Sequence, residues 1–191
     1  MRKYKCLSNI EWSSKGYKLV PIRTEDKYEI LNWRNSQIEI LRQKEEVSKE
    51  QQDIYFANVV DKLFEEKFPK QLLFSFLHNG ILIGYGGLVH IDWESKNAEV
   101  SFLLYNNNDF QSKFSEFMRI IFVISFEELK LIKIHTTVYN IEARKRYIEV
   151  IENLNFVKEA ILKNHIFIEN KYYDVLIYSY FNKTHENWLA D

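Results

Sequence analysis

Residues 72–105 read LLFSFLHNGILIGYGGLVHIDWESKNAEVSFLLY, a stretch in which three apolar runs are separated by two short polar segments. The first separator, Asn79-Gly80, is the dipeptide that most strongly favours a two-residue β-hairpin turn. The second separator is the longer polar turn at 92–97. Because the runs are rich in β-branched and aromatic residues, the stretch predicts three consecutive antiparallel strands, over 72–78, 81–91 and 98–105.

Strand and helix patterns alternate on both sides of these three strands. Upstream, residues 17–22 suit a strand, Thr24 is expected to cap a first helix, and Ser48 with Gln51 forms a capping box for a second helix that ends near Glu66. Downstream, the pattern predicts a long apolar helix, a strand, a helix and three further strands, over 112–130, 131–138, 142–153, 156–162, 166–168 and 172–180. This order is typical of an α/β (α+β) fold, and we expect one domain over residues 1–191, with helices on both faces of a mixed, mostly antiparallel sheet.

The composition of the chain indicates which binding partners and which cell compartment to expect. The chain of 191 residues has 26 Lys+Arg against 27 Asp+Glu, and this near-zero charge argues against a nucleic-acid or anionic-membrane partner. Cys6 is the only cysteine and the five histidines are scattered, so we expect neither a disulfide nor a metal site. The start is polar and no apolar run approaches the ~20 residues of a membrane span, so we expect a cytoplasmic protein.

Several segments, taken in order, resemble the GCN5-related N-acetyltransferase (GNAT) superfamily, and within it the branch of ribosomal-protein and amino-sugar N-acetyltransferases. Trp33-Arg34-Asn35-Ser36 is similar to the Trp-Arg-Asn that follows the first helix in this branch, and Leu154-Asn155-Phe156 resembles a segment that usually reads Leu-Gly-Phe. The other matching segments are 19–22, 81–88, 91–92, 98–102, 126–131 and 170–175. The resemblance implies an enzyme that transfers acetyl from acetyl-CoA to a primary amine by direct attack on the thioester.

The resemblance also implies where acetyl-CoA is held. A strand over 98–105 has to diverge from its neighbour so that backbone N–H groups can hold the pantetheine arm and polarise the thioester carbonyl. A helix N-terminus at 109–115 has to take the diphosphate on its amides and dipole. The implied cofactor-binding residues are Phe102, Leu103, Leu104, Gln111, Ser112, Lys113, Phe114, Ser115 and Asn140.

The diphosphate loop departs from the family pattern, which usually reads Arg/Gln-x-x-Gly-x-Gly/Ala. Aligned on Ser115-Glu116, the three small positions hold Phe110, Ser112 and Phe114. Glycine at such positions permits close approach of the backbone to a ligand, which phenylalanine does not. A helix dipole site needs only amides, so acetyl-CoA remains the expected co-substrate. The alternative is a non-catalytic binding or scaffold protein on the same fold.

Glu99 and Tyr147 are the candidate catalytic residues. Glu99 is a carboxylate in an otherwise apolar strand, where it is either a general base at the floor of a groove or a structural group that faces solvent or a salt-bridge partner. Tyr147 is either the donor that protonates the leaving thiolate or a tyrosine at the edge of the core. Asn140, three residues before Ala143, resembles the family's Asn-x-x-Ser/Ala and is either a cofactor contact or a plain helix cap.

The acceptor side is expected at the end of the first helix. Trp33, Arg34 and Asn35 are the candidate substrate-binding residues, since Arg34 can hold a phosphate or carboxylate in a bidentate manner; the structural alternative is packing and helix termination. His90 is an alternative base. We expect an amino sugar, a protein N-terminus or a small amine as acceptor, and a monomer or homodimer.

Overall fold

The computed structural model describes residues 2–41, 43–106 and 108–182, and an eight-stranded sheet forms its centre. The strands lie in the order β1-β2-β3-β4-β5-β6-β8-β7, and every neighbouring pair is antiparallel except β5 with β6, which is parallel. Their bounds are β1 Trp12–Ser14, β2 Tyr17–Pro21, β3 Leu72–His78, β4 Ile81–Asp92, β5 Asn97–Leu104, β6 Lys133–Tyr139, β7 Val157–Ile168 and β8 Lys171–Phe181. The predicted fold class is confirmed. The last nine residues of the predicted 1–191 domain lie outside the described part of the chain.

Helices cover both faces of this sheet. They are α1 Lys27–Ser36, α2 Lys49–Tyr55, α3 Asp61–Leu63, α4 Phe110–Phe122 and α5 Lys145–Asn153, with π-helical turns at Phe56–Val60 after α2 and at Val123–Glu128 after α4. On one face, the Phe117 ring of α4 packs against the rings of Phe76 and Phe102. On the other face, the Ser75 hydroxyl donates to Asp26, which directly precedes α1. Within the described ranges, no helix is both long and apolar enough to cross a membrane.

Two local signals are confirmed by the backbone. Asn79 and Gly80 connect β3 to β4 with positive φ values of 50° and 80°, which is the geometry that a two-residue hairpin turn requires. The Ser48 hydroxyl accepts from the Gln51 N–H at 3.2 Å, and the Ser48 N–H donates to the Gln51 side chain at 2.8 Å. Both bonds of the predicted capping box are therefore present.

Other local expectations are wrong. Thr24 does not cap the first helix: it begins a 3-10 turn whose N-cap position is Arg23, and no side chain caps that turn. The strands expected at 156–162 and 166–168 are one twelve-residue strand, β7, because irregularities in its pairing with β8 interrupt the alternation of side chains without ending the strand. Strand β1, which pairs with β2, was not predicted.

Glycine in β4 brings that strand unusually close to β5. A Cβ built on Gly86 would lie 2.2 Å from the Ser101 carbonyl oxygen and 2.9 Å from the Phe102 Cα. No other residue type fits there without moving a backbone. Gly86 thus sets the position of β5 at the residues where β5 leaves its other neighbour, β6.

Candidate active site

Strands β5 and β6 diverge halfway along their length. Their parallel pairing covers only residues 97–99 of β5 and 133–135 of β6, whereas β5 continues to Leu104 and β6 to Tyr139. Each strand stays paired with its other neighbour over this length, β5 with β4 and β6 with β8. The facing edges of residues 100–104 and 136–139, all within the described chain, are therefore not joined to each other, and a ligand can enter between them.

Two adjoining cavities occupy this opening. The inner cavity, of about 220 Å³, is lined by Glu99–Phe102 of β5 and Thr136–Tyr139 of β6. The outer cavity, of about 560 Å³, lies beyond it and is lined by residues 102–106 and 142–144 among others. The two cavities form one path, because four residues line both of them. These residues are Ile40, Phe102, Arg144 and Tyr147.

Glu99 lies at the point of divergence, with only 7% of its surface exposed. Its Oε2 is 2.8 Å from Nδ1 of His90, whose side chain is 67% exposed. On the β6 side, Glu99 is in register with His135. Burial lowers the pKa of His135 below its ordinary value of 6.5, so this imidazole is neutral at pH 7. The carboxylate expected to be the base therefore lines the inner cavity and has a solvent-exposed imidazole beside it.

Tyr147 also lines the inner cavity. Its hydroxyl is 2.8 Å from the Thr136 hydroxyl, and either oxygen can be the donor. Burial raises the pKa of Tyr147 above its ordinary value of 10.0, so the phenol is protonated at neutral pH. The chain thus places a proton acceptor and a proton donor around one space, which is the arrangement that acyl transfer requires.

The start of α4 provides the expected helix N-terminus. Asp109 has a left-handed φ of 53°, and the Lys113 N–H donates to the Asp109 carbonyl at 3.0 Å. The amides of Phe110, Gln111 and Ser112 precede this first bond and are not used by the helix ladder. Gln111, Ser112 and Ser115 line a surface depression here together with Arg146 of α5, whereas the Lys113 amine donates to the Asn108 carbonyl.

The aromatic rings near this helix form a wall and do not fill the cavities. Phe114 is fully buried against Phe102 and Tyr147, and its side chain lines none of these spaces. Phe110 stacks on Phe114 and lines both the outer cavity and the depression at the start of α4. Among the predicted cofactor residues, Leu103 and Leu104 also line the outer cavity.

Asn140 is not brought to this path. Asn140 lines a separate depression, and its N–H donates to the Asp174 carbonyl at 2.9 Å. The residue at the N-cap position of the turn that leads into α5 is Ile141 and not Asn140. Neither of the two roles considered for Asn140 is therefore apparent in this arrangement.

The three candidate acceptor residues divide into one that lines the cavity and two that do not. Arg34 lines the inner cavity, and its Nε donates to Gln43 at 3.0 Å. The Asn35 side chain donates to the Val47 carbonyl and accepts from Gln43 and the Val47 N–H, so it fastens the loop after α1. Trp33 is 7% exposed and packs near Tyr105.

Sequence reasoning missed the residues that border the path between the two cavities. The Gln37 amide donates to the Leu104 carbonyl at 2.9 Å, and the Arg144 guanidinium donates to the Ile40 carbonyl. Burial lowers the pKa of Arg144, whose guanidinium also lies 5.5 Å from the Tyr147 ring centre. One signal was available in the sequence: residues 144–146 place three cations at the start of a helix, where the helix dipole disfavours positive charge.

Solved structures with the same architecture are spermidine N-acetyltransferases of Vibrio cholerae. A complex with CoA and spermine gives a TM-score of 0.77 at 18% identity and covers 88% of this chain and 96% of that one. Mutant forms of the spermidine/spermine enzyme give a TM-score of 0.74 at 19% identity and cover 92% of this chain and 99% of that one. A dodecameric structure in an intermediate state gives 0.73 at 20% identity, covering 92% and 99%. At such identities the likeness establishes the fold alone.

Comparison with curated protein sequences gave no significant match. The family model described as acetyltransferase (GNAT) domain matches residues 19–177, which is most of the chain and contains both cavities and the start of α4. The expected superfamily is thereby confirmed, and the divergence of β5 from β6 agrees with it. This chain belongs to the GNAT acetyltransferase family, and membership of that family makes it an acetyl-CoA-dependent N-acetyltransferase.

Proposed function

We propose that the chain acetylates the primary amine of an acceptor that binds in the inner cavity, by direct attack of the amine on the thioester of acetyl-CoA. The observation on which this depends is the divergence of β5 from β6 immediately after Glu99. That divergence opens a space between a buried carboxylate and the Tyr147 hydroxyl, and it leaves backbone groups of β5 available at the same place.

Three connected spaces support a route for acetyl-CoA. The inner cavity would take the thioester, and the outer cavity would take the pantetheine arm along residues 102–104. The depression at the start of α4, of about 530 Å³, shares Phe110 and Arg146 with the outer cavity. Amides at the helix start and the Arg146 guanidinium would hold the diphosphate there, in a depression that Asp109 and Glu149 also line.

Different side chains around the inner cavity carry out the different proton transfers of the reaction. Glu99 removes a proton from the acceptor ammonium, and His90, which reaches solvent, receives it from Glu99. Backbone N–H groups of β5 stabilise the oxyanion that forms on the thioester carbonyl. Tyr147 donates a proton to the leaving thiolate, while Thr136 keeps the phenol oriented.

The identity of the acceptor and the assembly are the finer parts of this proposal. The structural neighbours are described as spermidine or spermidine/spermine enzymes, and an amino sugar, a small amine and a protein N-terminus remain the predicted acceptors. One neighbour is described as dodecameric, whereas a monomer or homodimer is our prediction for this chain. We further propose one domain over residues 1–191, because one continuous sheet runs from Trp12 to Phe181.

Thermal unfolding with acetyl-CoA and with CoA tests the route. A ligand that binds only the folded chain raises the melting temperature by mass action. We expect this rise for the wild type and a much smaller rise for Arg146→Glu. The control Arg119→Glu makes the same charge change on an exposed residue of α4 that lines none of the three spaces, and it should keep the full rise.

Mass spectrometry of an amine panel incubated with acetyl-CoA tests the chemistry. Acetylation of at least one amine, abolished or strongly reduced in Glu99→Gln, supports the proposed function. No rise in melting temperature at millimolar acetyl-CoA, together with no acetylated amine, would overturn it in favour of a non-catalytic protein on the same fold.

A further inference from the structure

The inner cavity carries positive charge that the described residues do not neutralise. Two guanidinium groups and one carboxyl group line it, and they belong to Arg34, Arg144 and Glu99. Glu99 is paired with His90. Among the described residues, neither guanidinium forms an ion pair with a carboxylate: Arg34 bonds to Gln43, and Arg144 bonds to the Ile40 carbonyl.

Guanidinium groups that lack a carboxylate partner lower the stability of a protein that holds no ligand. A guanidinium withdrawn from water loses hydration that neutral partners replace only in part, and a carboxylate or phosphate partner compensates far better. Glu39 is a carboxylate that interacts electrostatically with Arg144, and both line the outer cavity, but Glu39 lines neither of the two cavities that Arg34 lines. A negatively charged ligand group is therefore the natural partner of Arg34.

The position of Arg34 indicates which ligand brings that charge. Arg34 belongs to α1 and also lines a smaller cavity of about 130 Å³, which shares Tyr85 and Ser101 with the inner one. It lines neither the outer cavity nor the depression at the start of α4, where the diphosphate of acetyl-CoA would lie. Arg144, by contrast, lines both the inner and the outer cavity and so borders the cofactor route. An anion at Arg34 therefore belongs to the acceptor.

Resting on the proposed function, we propose that the acceptor is an amine that also carries an anionic group, a carboxylate or a phosphate monoester, held by Arg34 while its ammonium lies at Glu99. The Nε of Arg34 is already committed to Gln43, which fixes the plane of the guanidinium and directs its Nη groups. A polyamine would instead place a second cation beside Arg34 and Arg144, so spermidine is expected to be a poor acceptor for this chain.

Steady-state kinetics on matched amines test this substrate class. Glucosamine 6-phosphate is compared with glucosamine, and glutamate with its diamide, in which both carboxylates are replaced by uncharged amides, while spermidine represents polycations. We expect one anionic amine to exceed its neutral partner in kcat/KM by about tenfold or more, since a charge-assisted hydrogen bond is lost in the partner. A higher kcat/KM for glucosamine 6-phosphate than for glucosamine identifies a phosphate monoester as the anionic group of the acceptor. A higher kcat/KM for glutamate than for its partner identifies a carboxylate, as in an amino acid. Equal or higher kcat/KM for neutral amines or spermidine would overturn the proposal.

Variants of Arg34 show whether this side chain is the origin of the preference. Arg34→Gln should raise KM for the anionic amine about tenfold or more with a much smaller effect on kcat, and Arg34→Lys should lie between it and wild type because it keeps the charge and loses the planar fork. Arg119→Gln is the matched control on an exposed surface and should keep the wild-type KM. An unchanged KM in Arg34→Gln would contradict the assignment.

A binding measurement separates this proposal from the proposed function. Glucose 6-phosphate and 2-oxoglutarate have the anion without the amine, so they cannot be acetylated on nitrogen. The analogue of the preferred class should raise the melting temperature of the wild type and not that of Arg34→Gln. If acetyl-CoA stabilises the chain and neutral amines are acetylated without such a preference, only the anionic acceptor is wrong. If acetyl-CoA neither stabilises the chain nor acetylates any amine, the proposed function fails first and this inference with it.

Discussion

The Glu99 carboxylate and the His90 imidazole lie 2.8 Å apart on neighbouring strands, one buried in the cavity and the other facing solvent. An irregularity in the β4–β5 pairing between Val89 and Asp92, with a positive φ of 50° at His90, allows this contact. Without that bulge, simple alternation along β4 would place residue 90 opposite Ala98 and its side chain on the other face from Glu99. The bulge therefore connects the interior of the active site to bulk water through one imidazole.

Glu99→Gln should lower kcat by about 10²-fold or more, because the amide cannot accept the acceptor's proton. Acetyl-CoA affinity should stay near wild type, since this carboxylate lines neither the outer cavity nor the depression at the start of α4, which would hold the pantetheine arm and the diphosphate. Turnover and cofactor titration measure the two effects. Glu94→Gln, in the exposed turn between β4 and β5, is the matched control and should be active. Wild-type turnover in Glu99→Gln would make this residue structural.

Tyr147→Phe should lower kcat by about 10²-fold, because the leaving thiolate loses its proton donor. Thr136→Val removes the same 2.8 Å hydrogen bond but keeps the phenol, so it should retain most of the activity. Since burial raises the pKa of Tyr147 above 10.0, wild-type kcat should not fall through ionisation of this group below pH 10. The pH dependence of kcat is measured for the wild type, Tyr147→Phe and Thr136→Val. An equal loss of kcat in the two variants would mean that Tyr147 acts through packing and not as a proton donor.

Gly86→Ala should destabilise the fold by about 1–3 kcal/mol, because the added Cβ overlaps the Ser101 carbonyl oxygen at 2.2 Å. Relief of this overlap requires movement of β5 at the inner cavity, so the stabilisation by acetyl-CoA should fall as well. Urea unfolding with and without the ligand measures both. The control is Gly80→Asn in the hairpin turn, where nothing lies within 4 Å and asparagine tolerates the positive φ. A Gly86→Ala variant with wild-type stability would refute the close approach.

Glu128 should contribute stability that is lost in acid. Burial opposes its ionisation, but hydrogen bonds from Asn9, Trp12 and the Ser8 N–H prevail and hold its pKa below the ordinary value of 4.5. A carboxylate whose folded pKa is lowered stabilises the fold above its unfolded pKa, and this contribution disappears as the pH falls through the folded pKa. The difference in unfolding free energy between wild type and Glu128→Gln should therefore be largest near pH 7 and shrink below pH 4.5. A difference that does not change with pH would contradict the assignment.

Sequence reasoning was most successful where a signal is contained in a few adjacent residues. The Asn79-Gly80 turn and the Ser48 capping box depend on backbone geometry that one or two side chains impose, and both are present. Glu99 and Tyr147, named from the strand pattern and the family resemblance, both line the inner cavity, while their catalytic roles remain predictions. Phe114 and Asn35, named in the same way, have side chains that serve the core and the loop after α1.

The sequence by itself determined the alternation of strands and helices and the hairpin at Asn79-Gly80, because these depend on periodicity and short motifs. The acetyltransferase superfamily was indicated by the resemblance of several ordered segments to a known family. Only the tertiary structure decided where β5 leaves β6, that His90 meets Glu99, and that Arg34 and Arg144 converge on one cavity. These relations join residues far apart in the chain, and their positions depend on strand register, a bulge and the close packing at Gly86. No local pattern encodes such distances, since they result from packing the whole sheet at once.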